Sequence, residues 1–216
     1  ATGGTSTAAT CTFSSLDADK TVTATFTLNT YTVTGNAGGN GSGTVASNVG
    51  GIDYTYPATS TETSTALDHG SAITLTATAG TGSTVGWTGC AATGGTSTAA
   101  TCTFSSLDAD KTVTATFTLN TYTLTIIKTG IGTVTSNPAG IDCGTDCSEN
   151  YDFSTGIVLT AVPADGGVFT GWSGGGCTGT DDCTVTIDEN KKISATFQNK
   201  FPWPMFLPAI TNNAQP

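Results

Sequence analysis

The sequence predicts an all-β protein: small antiparallel β modules in tandem, stapled by disulfides and rich in Gly and Thr. Three observations predict it. Thr recurs at alternate positions in runs such as Thr21 to Leu28 and Ile73 to Thr78, the period-two signature of half-buried strands. Nowhere do ten residues carry an apolar stripe at helical spacing, and 28 Gly punctuate the 216 residues together with Asn- and Asp-rich turns, so helices have neither a face nor room. Finally, Ala1 to Thr32 is identical, position by position, to Ala92 to Thr123, the self-similarity of a repeat architecture.

The repeats set the organisation. Residues 1–30 hold only the closing hairpin of a module: a strand near Thr10 to Phe13, an Asp-Ala-Asp-Lys turn, and a strand from Thr21 to Leu28. A lone hairpin is marginal in water, so this half module is expected to be completed by upstream residues of a longer precursor or by another copy lending strands to its edge. Residues 31–121 form a second module. Residues 122–198 form a third: Gly86-Trp87-Thr88-Gly89-Cys90 returns as Gly171-Trp172-Ser173-Gly174 with Cys177 behind it, and Leu107 to Lys111 returns as Ile187 to Lys191. Each is near the size at which a small domain gains its own core. Residues 199–216 are an apolar, Pro-rich tail.

Charge narrows the partners. Six Lys, no Arg and 16 Asp+Glu give a formal net charge of −10, which argues against nucleic acid and anionic membranes. The longest uncharged apolar stretch, Trp203 to Ile210, is broken by Pro204 and Pro208 and is far shorter than the roughly 20 residues of a membrane helix. No membrane insertion is expected.

The seven cysteines follow the repeats. Cys90 and Cys102 are alone in the second module and are expected to pair. Cys177 and Cys183 occupy the same two sites in the third, which leaves Cys143 and Cys147 for each other. Cys11 is the counterpart of Cys102, and its partner would stand before residue 1. Small Gly-rich modules lean on such bridges, which persist in oxidising compartments, so export is expected.

The runs Gly132 to Ser136, Pro138 to Cys147, Val158 to Pro163, Phe169 to Gly174 and Ile193 to Phe197 make the third module resemble the divergent internalin B-repeat modules of bacterial surface and secreted proteins. The second module is a looser copy, with Tyr54 where Cys143 stands and a Thr/Ser-rich insertion at Tyr56 to Thr65. The resemblance implies an extracellular or cell-surface bacterial protein whose modules act as β-rich spacers, stalks or adhesion units, with no catalytic residue to carry over.

Candidate sites are few. His69, in Asp68-His69-Gly70-Ser71, falls opposite Phe153 when the modules are aligned, which makes it a turn or strand-edge residue rather than part of a triad. Asp17, Asp19, Asp108, Asp110, Asp181, Asp182 and Asp188 sit in turns and carry oxygen ligands of the kind Ca²⁺ takes, but Asx-turn bonding accounts for them. Cys143, Cys147, Cys177 and Cys183 lack zinc-knuckle spacing. No metal, cofactor or catalytic group is expected. Trp87 and Trp172 occupy matching positions, so they are expected in the cores rather than stacked on a sugar. In the tail, Phe201, Trp203, Met205, Phe206, Leu207 and Ile210 concentrate apolar side chains among prolines that exclude a central strand, so they are expected to be buried either against the last module or in a groove of the next copy, where they would be an assembly contact.

The leading expectation is therefore a non-enzymatic structural subunit or stalk segment of a bacterial extracellular fibre or cell-surface appendage, joined head to tail to copies of itself or to upstream repeats. The alternatives are an adhesion or carbohydrate-binding module with a glycan partner, and a noncatalytic appendage of a secreted enzyme.

Overall fold

The computed structural model describes residues 3–5 and 8–200, and among them there is no helix. Strands β1 (Gly3–Thr5) and β2 (Ala8–Thr10) form a hairpin with Gly3 opposite Thr10. The stretch from Cys11 to Asn29 contains no strand, which corrects the expectation of strands near Thr10 to Phe13 and from Thr21 to Leu28: only Ala8–Thr10 pairs.

The region 31–121 is a two-sheet sandwich. Its strands are β3 (Thr30–Tyr31), β4 (Val33–Gly39), β5 (Gly43–Ser47), β6 (Asp53–Tyr56), β7 (Thr61–Thr63), β8 (Leu67–Asp68), β9 (Ile73–Ala79), β10 (Ser83–Thr88), β11 (Ala92–Gly95), β12 (Ala99–Phe104) and β13 (Lys111–Leu119). One sheet has the order β10-β13-β4-β7 and the other β11-β12-β9-β5-β6, while β3 and β8 pair separately. Alternation decides what faces inward: Ile73, Leu75 and Ala77 of β9 and Val113, Ala115 and Phe117 of β13 are buried, with Thr on the outer faces, as a half-buried strand requires. Both sheets contribute to a single core cluster.

The region 122–198 repeats the plan with β14 (Thr121–Thr129), β15 (Gly132–Asn137), β16 (Ser148–Asp152), β17 (Gly156–Pro163), β18 (Gly167–Ser173), β19 (Cys183–Thr186) and β20 (Lys191–Asn199). Its sheets are β16-β14-β20-β18 and β15-β17-β19, around a second core cluster.

The pairing is antiparallel throughout except at one place in each module, where the first long strand lies parallel to the last. There β4 pairs β13 from Val33↔Lys111 to Gly39↔Phe117, and β14 pairs β20 from Leu124↔Lys191 to Thr129↔Thr196. Side-chain alternation is the same in parallel and antiparallel ladders, so it carries no trace of this direction. Close packing of the last strand also requires glycine at two places. A Cβ on Gly43 would run into the Phe117 ring, and one on Gly132 into the Phe197 ring.

Candidate functional site

Three kinds of feature organise the modules: cross-links, turns that tie the ends of each module together, and the junctions between modules. The disulfides join the two sheets of a sandwich. Cys90 follows β10 in one sheet and bonds Cys102 on β12 in the other, with Cα atoms 5.4 Å apart. Cys177 follows β18 and bonds Cys183 on β19, again across the sandwich. Cys143 bonds Cys147 in the connection from β15 to β16. Cys11 is free and exposed.

The acidic turns are occupied by local and long-range bonds. Asp17, Asp108 and Asp188 pair with Lys20, Lys111 and Lys191 three residues on. The hydrogen bond and charge of Lys111 hold the Asp108 carboxyl below the usual carboxylate range, and Lys191 does the same to Asp188. Asp110 is more than an Asx-turn residue. Its Oδ1 accepts hydrogen bonds from the backbone N–H and the hydroxyl of Thr32, at 2.8 and 3.2 Å, and so ties the turn before the last strand to the start of the first. Asn190 does the same for the Thr123 N–H at 2.8 Å. The sequence signal was the repeated Asp-x-x-Lys segment, but alternation could not say that its partner lies 78 residues away. Asp181 contributes its carbonyl to Trp172. Among the described residues no three His, Cys, Asp or Glu side chains converge as metal ligands.

The two tryptophans differ. Trp172 is 5% exposed, meets Phe169 edge-on and donates its indole N–H to the Asp181 carbonyl at 2.8 Å. Trp87 is half-buried against the other core and donates to the Ala100 carbonyl at 3.0 Å. Beside it lies an open depression of about 330 Å³ lined by Val85, Gly94, Gly95 and Thr96 among others. With both indole N–H groups spent on backbone carbonyls and one ring inside a core, the pair does not form a common stacking platform.

His69 lies in the turn after β8. Its N–H donates to the Asn29 carbonyl at 2.7 Å, and its ring rests against Tyr31 with centroids 6.0 Å apart. Phe153 does the same one module later: its N–H donates to the Asn120 carbonyl at 2.8 Å, and its ring meets Tyr122 at 6.4 Å. The two junctions differ in what covers them. Phe153 packs against the backbone of Gly82 from the preceding module, whose carbonyl accepts the Asn120 N–H at 2.8 Å; His69 is exposed. The tail residues Phe201, Trp203, Met205, Phe206, Leu207 and Ile210 lie outside the described residues.

Comparison with known proteins fits this plan. No curated protein matches the chain. A solved structure, the major pilin protein (T-13) from Streptococcus pyogenes serotype GAS131465, is similar over 80% of this chain and 98% of that one, at 11% identity and a TM-score of 0.33, a likeness too slight to argue from. The family model for the divergent InlB B-repeat domain matches residues 31–121 and again 122–201. The two sandwiches, with their repeated junction, are thus adjacent copies of one module, and the chain belongs to the divergent InlB B-repeat family.

Proposed function

We propose that the chain is a tension-bearing structural segment of a bacterial extracellular fibre or cell-surface stalk, built from tandem β modules and without catalytic activity. The observation that carries this reading is the parallel pairing of first and last strands. Tension along the chain enters a module at the start of β4 and leaves at the end of β13, at opposite ends of a seven-pair ladder. Pulling therefore slides one strand along the other. The ladder bonds must then break together, whereas in a hairpin pulled at its open end they break one at a time. β14 and β20 present the same geometry over six pairs. The disulfides across each sandwich and the Asp110 and Asn190 clasps hold the strands in that register. Low Lys content and the absence of Arg leave few sites for trypsin-like proteases.

Single-molecule pulling tests it. Handles at the chain ends are expected to give rupture forces several-fold above those measured when handles at Thr121 and Lys191, the adjacent ends of β14 and β20, unzip the same module. Equal forces in the two geometries would remove the mechanical reading. Head-to-tail joining through Phe201 to Ile210 belongs to the same proposal. It predicts that sedimentation finds higher oligomers of the full chain and single chains after deletion of residues 201–216.

A further inference from the structure

Residues 8–30 and 99–121 have the same sequence in two surroundings, and the molecule thereby reports what the first copy lacks. The local piece forms in both: Gly3 faces Thr10 in the first hairpin as Gly94 faces Thr101 in the second, and Lys20 reaches Asp17 as Lys111 reaches Asp108. The non-local piece does not. Phe13, Leu16, Val22 and Phe26 are 43, 73, 54 and 93% exposed, whereas their counterparts Phe104, Leu107, Val113 and Phe117 are 5, 0, 1 and 0% exposed. What covers the second copy is known: β4, β9 and β10, all from residues 31–91.

We infer that residues 11–30, with the half-buried Tyr31 and the exposed His69 beside them, form a docking face for a β segment of the 31–91 type contributed by the preceding unit of the array, and that Cys11 closes a disulfide with the cysteine that follows Gly-Trp-Thr-Gly in that segment. This rests on the reading above of tandem β modules in series, not on joining through the tail, and names the segment that would complete the first module. An exposed apolar surface of this kind marks an interaction site, and the seated copy supplies its register. Val22, Ala24 and Phe26 take the places of Val113, Ala115 and Phe117, Cys11 takes the place of Cys102, and the incoming counterpart of Gly82 covers His69 as Gly82 covers Phe153.

The chain's own 31–91 segment is ruled out by reach. In the seated register Leu28 would stand where Leu119 does, with its N–H on Asn40, seven residues along β4 from Val33, or about 23 Å at strand rise. Only five residues separate Leu28 from Val33, spanning at most about 18 Å. A second intact copy gains nothing either, because its seat already holds an identical segment.

The bond balances as an ordinary oxidation. Two thiols lose two protons and two electrons to an external small-molecule disulfide, such as oxidised glutathione, which leaves as two thiols.

The test places residues 31–91 directly before Ala1 of the full chain, reproducing the Ala91–Ala92 continuity, and folds the product in a glutathione redox buffer. The 216-residue chain is expected to carry one titratable thiol, Cys11. The extended chain is expected to carry none, with Cys11 bonded to the added cysteine by peptide mapping, and the amides of Thr21 to Leu28 gain hydrogen-exchange protection comparable to Thr112 to Leu119. Two remaining thiols, or unprotected amides at 21–28, would overturn the inference. Phe26→Ser separates docking from general stickiness: it is expected to abolish that protection in the extended chain and to leave the melting of the native chain unchanged. Retained protection would also overturn it. Rupture forces of the 31–198 modules do not enter these readouts, so the mechanical reading can fail while this one stands, and the reverse.

Discussion

Phe117 is 0% exposed, and its ring stacks on Tyr56 with centroids 5.7 Å apart, while Phe26, its counterpart in an identical stretch, is 93% exposed. Burial is therefore set by the neighbours rather than by the side chain, and the pair makes an internal control. Phe117→Ala is expected to cost about 3–5 kcal/mol, the range for a buried aromatic truncated to Ala, and Phe26→Ala less than about 0.5 kcal/mol; urea denaturation followed at the 31–121 module measures both. Tyr54 gives a second prediction at this scale. Its hydroxyl donates to the Gly35 carbonyl at 2.9 Å in a buried setting. Burial, with a smaller contribution from the Glu62 charge, pushes its pKa up from 10.0 to about 12. A group raised in this way stabilises the fold fully below pH 10 and loses that contribution as pH climbs through about 12, with an amplitude of about 1–3 kcal/mol. Tyr54→Phe should cost about 1 kcal/mol at pH 7 by removing this hydrogen bond and should flatten the decline between pH 10 and 12. An equally steep decline in the Phe variant would assign it elsewhere.

At the scale of elements, the disulfides differ in the length of chain they close. Cys90–Cys102 spans 12 residues, Cys177–Cys183 spans 6 and Cys143–Cys147 spans 4. Chain entropy then ranks them at about 3, about 2 and just under about 2 kcal/mol. Replacing each pair by Ser should lower the denaturant midpoint of its own module in that order, with m-values that rise slightly as the unfolded chain loses its cross-link. Strands such as β9, β13 and β20 were legible in the sequence because Thr alternates there with apolar residues, and the module pattern was legible because Gly-Trp and Asp-x-x-Lys recur. The parallel direction of β4 and β13 was not, since the period of alternation does not depend on which way a neighbour runs. Thr21 to Leu28 shows the other limit. Its alternation is that of β13, letter for letter, yet it forms no strand, because a ladder needs partners and β4 and β10 lie within the next module. The Asp110 clasp on Thr32 was hidden for the same reason: a turn motif announces its local bonds, not the strand that it fastens far along the chain.

At the scale of the whole molecule, two cores joined by the short link at Asn120 act in series under tension, which makes a length measurement informative. Stretching the chain from its ends should give two rupture events, one per module. Disulfides keep their loops closed, so each event releases only the residues outside them. At about 3.6 Å per residue, and less the folded span, this is about 25 nm for the 31–121 module and about 20 nm for the 122–198 module. Reduction should add about 4 nm to the 31–121 module by freeing the 12 residues closed by Cys90 and Cys102, and about 3 nm to the 122–198 module, whose two loops close 6 and 4 residues. Residues 11–29 carry no strand ladder and should extend before either rupture. The reduction step decides between two mechanical designs. If the ladders β4–β13 and β14–β20 set the strength, rupture forces stay nearly constant on reduction while the released lengths grow. If the cross-links across the sandwich set it, forces fall together with the gain in length, and the parallel strand pair is a feature of topology without a mechanical role.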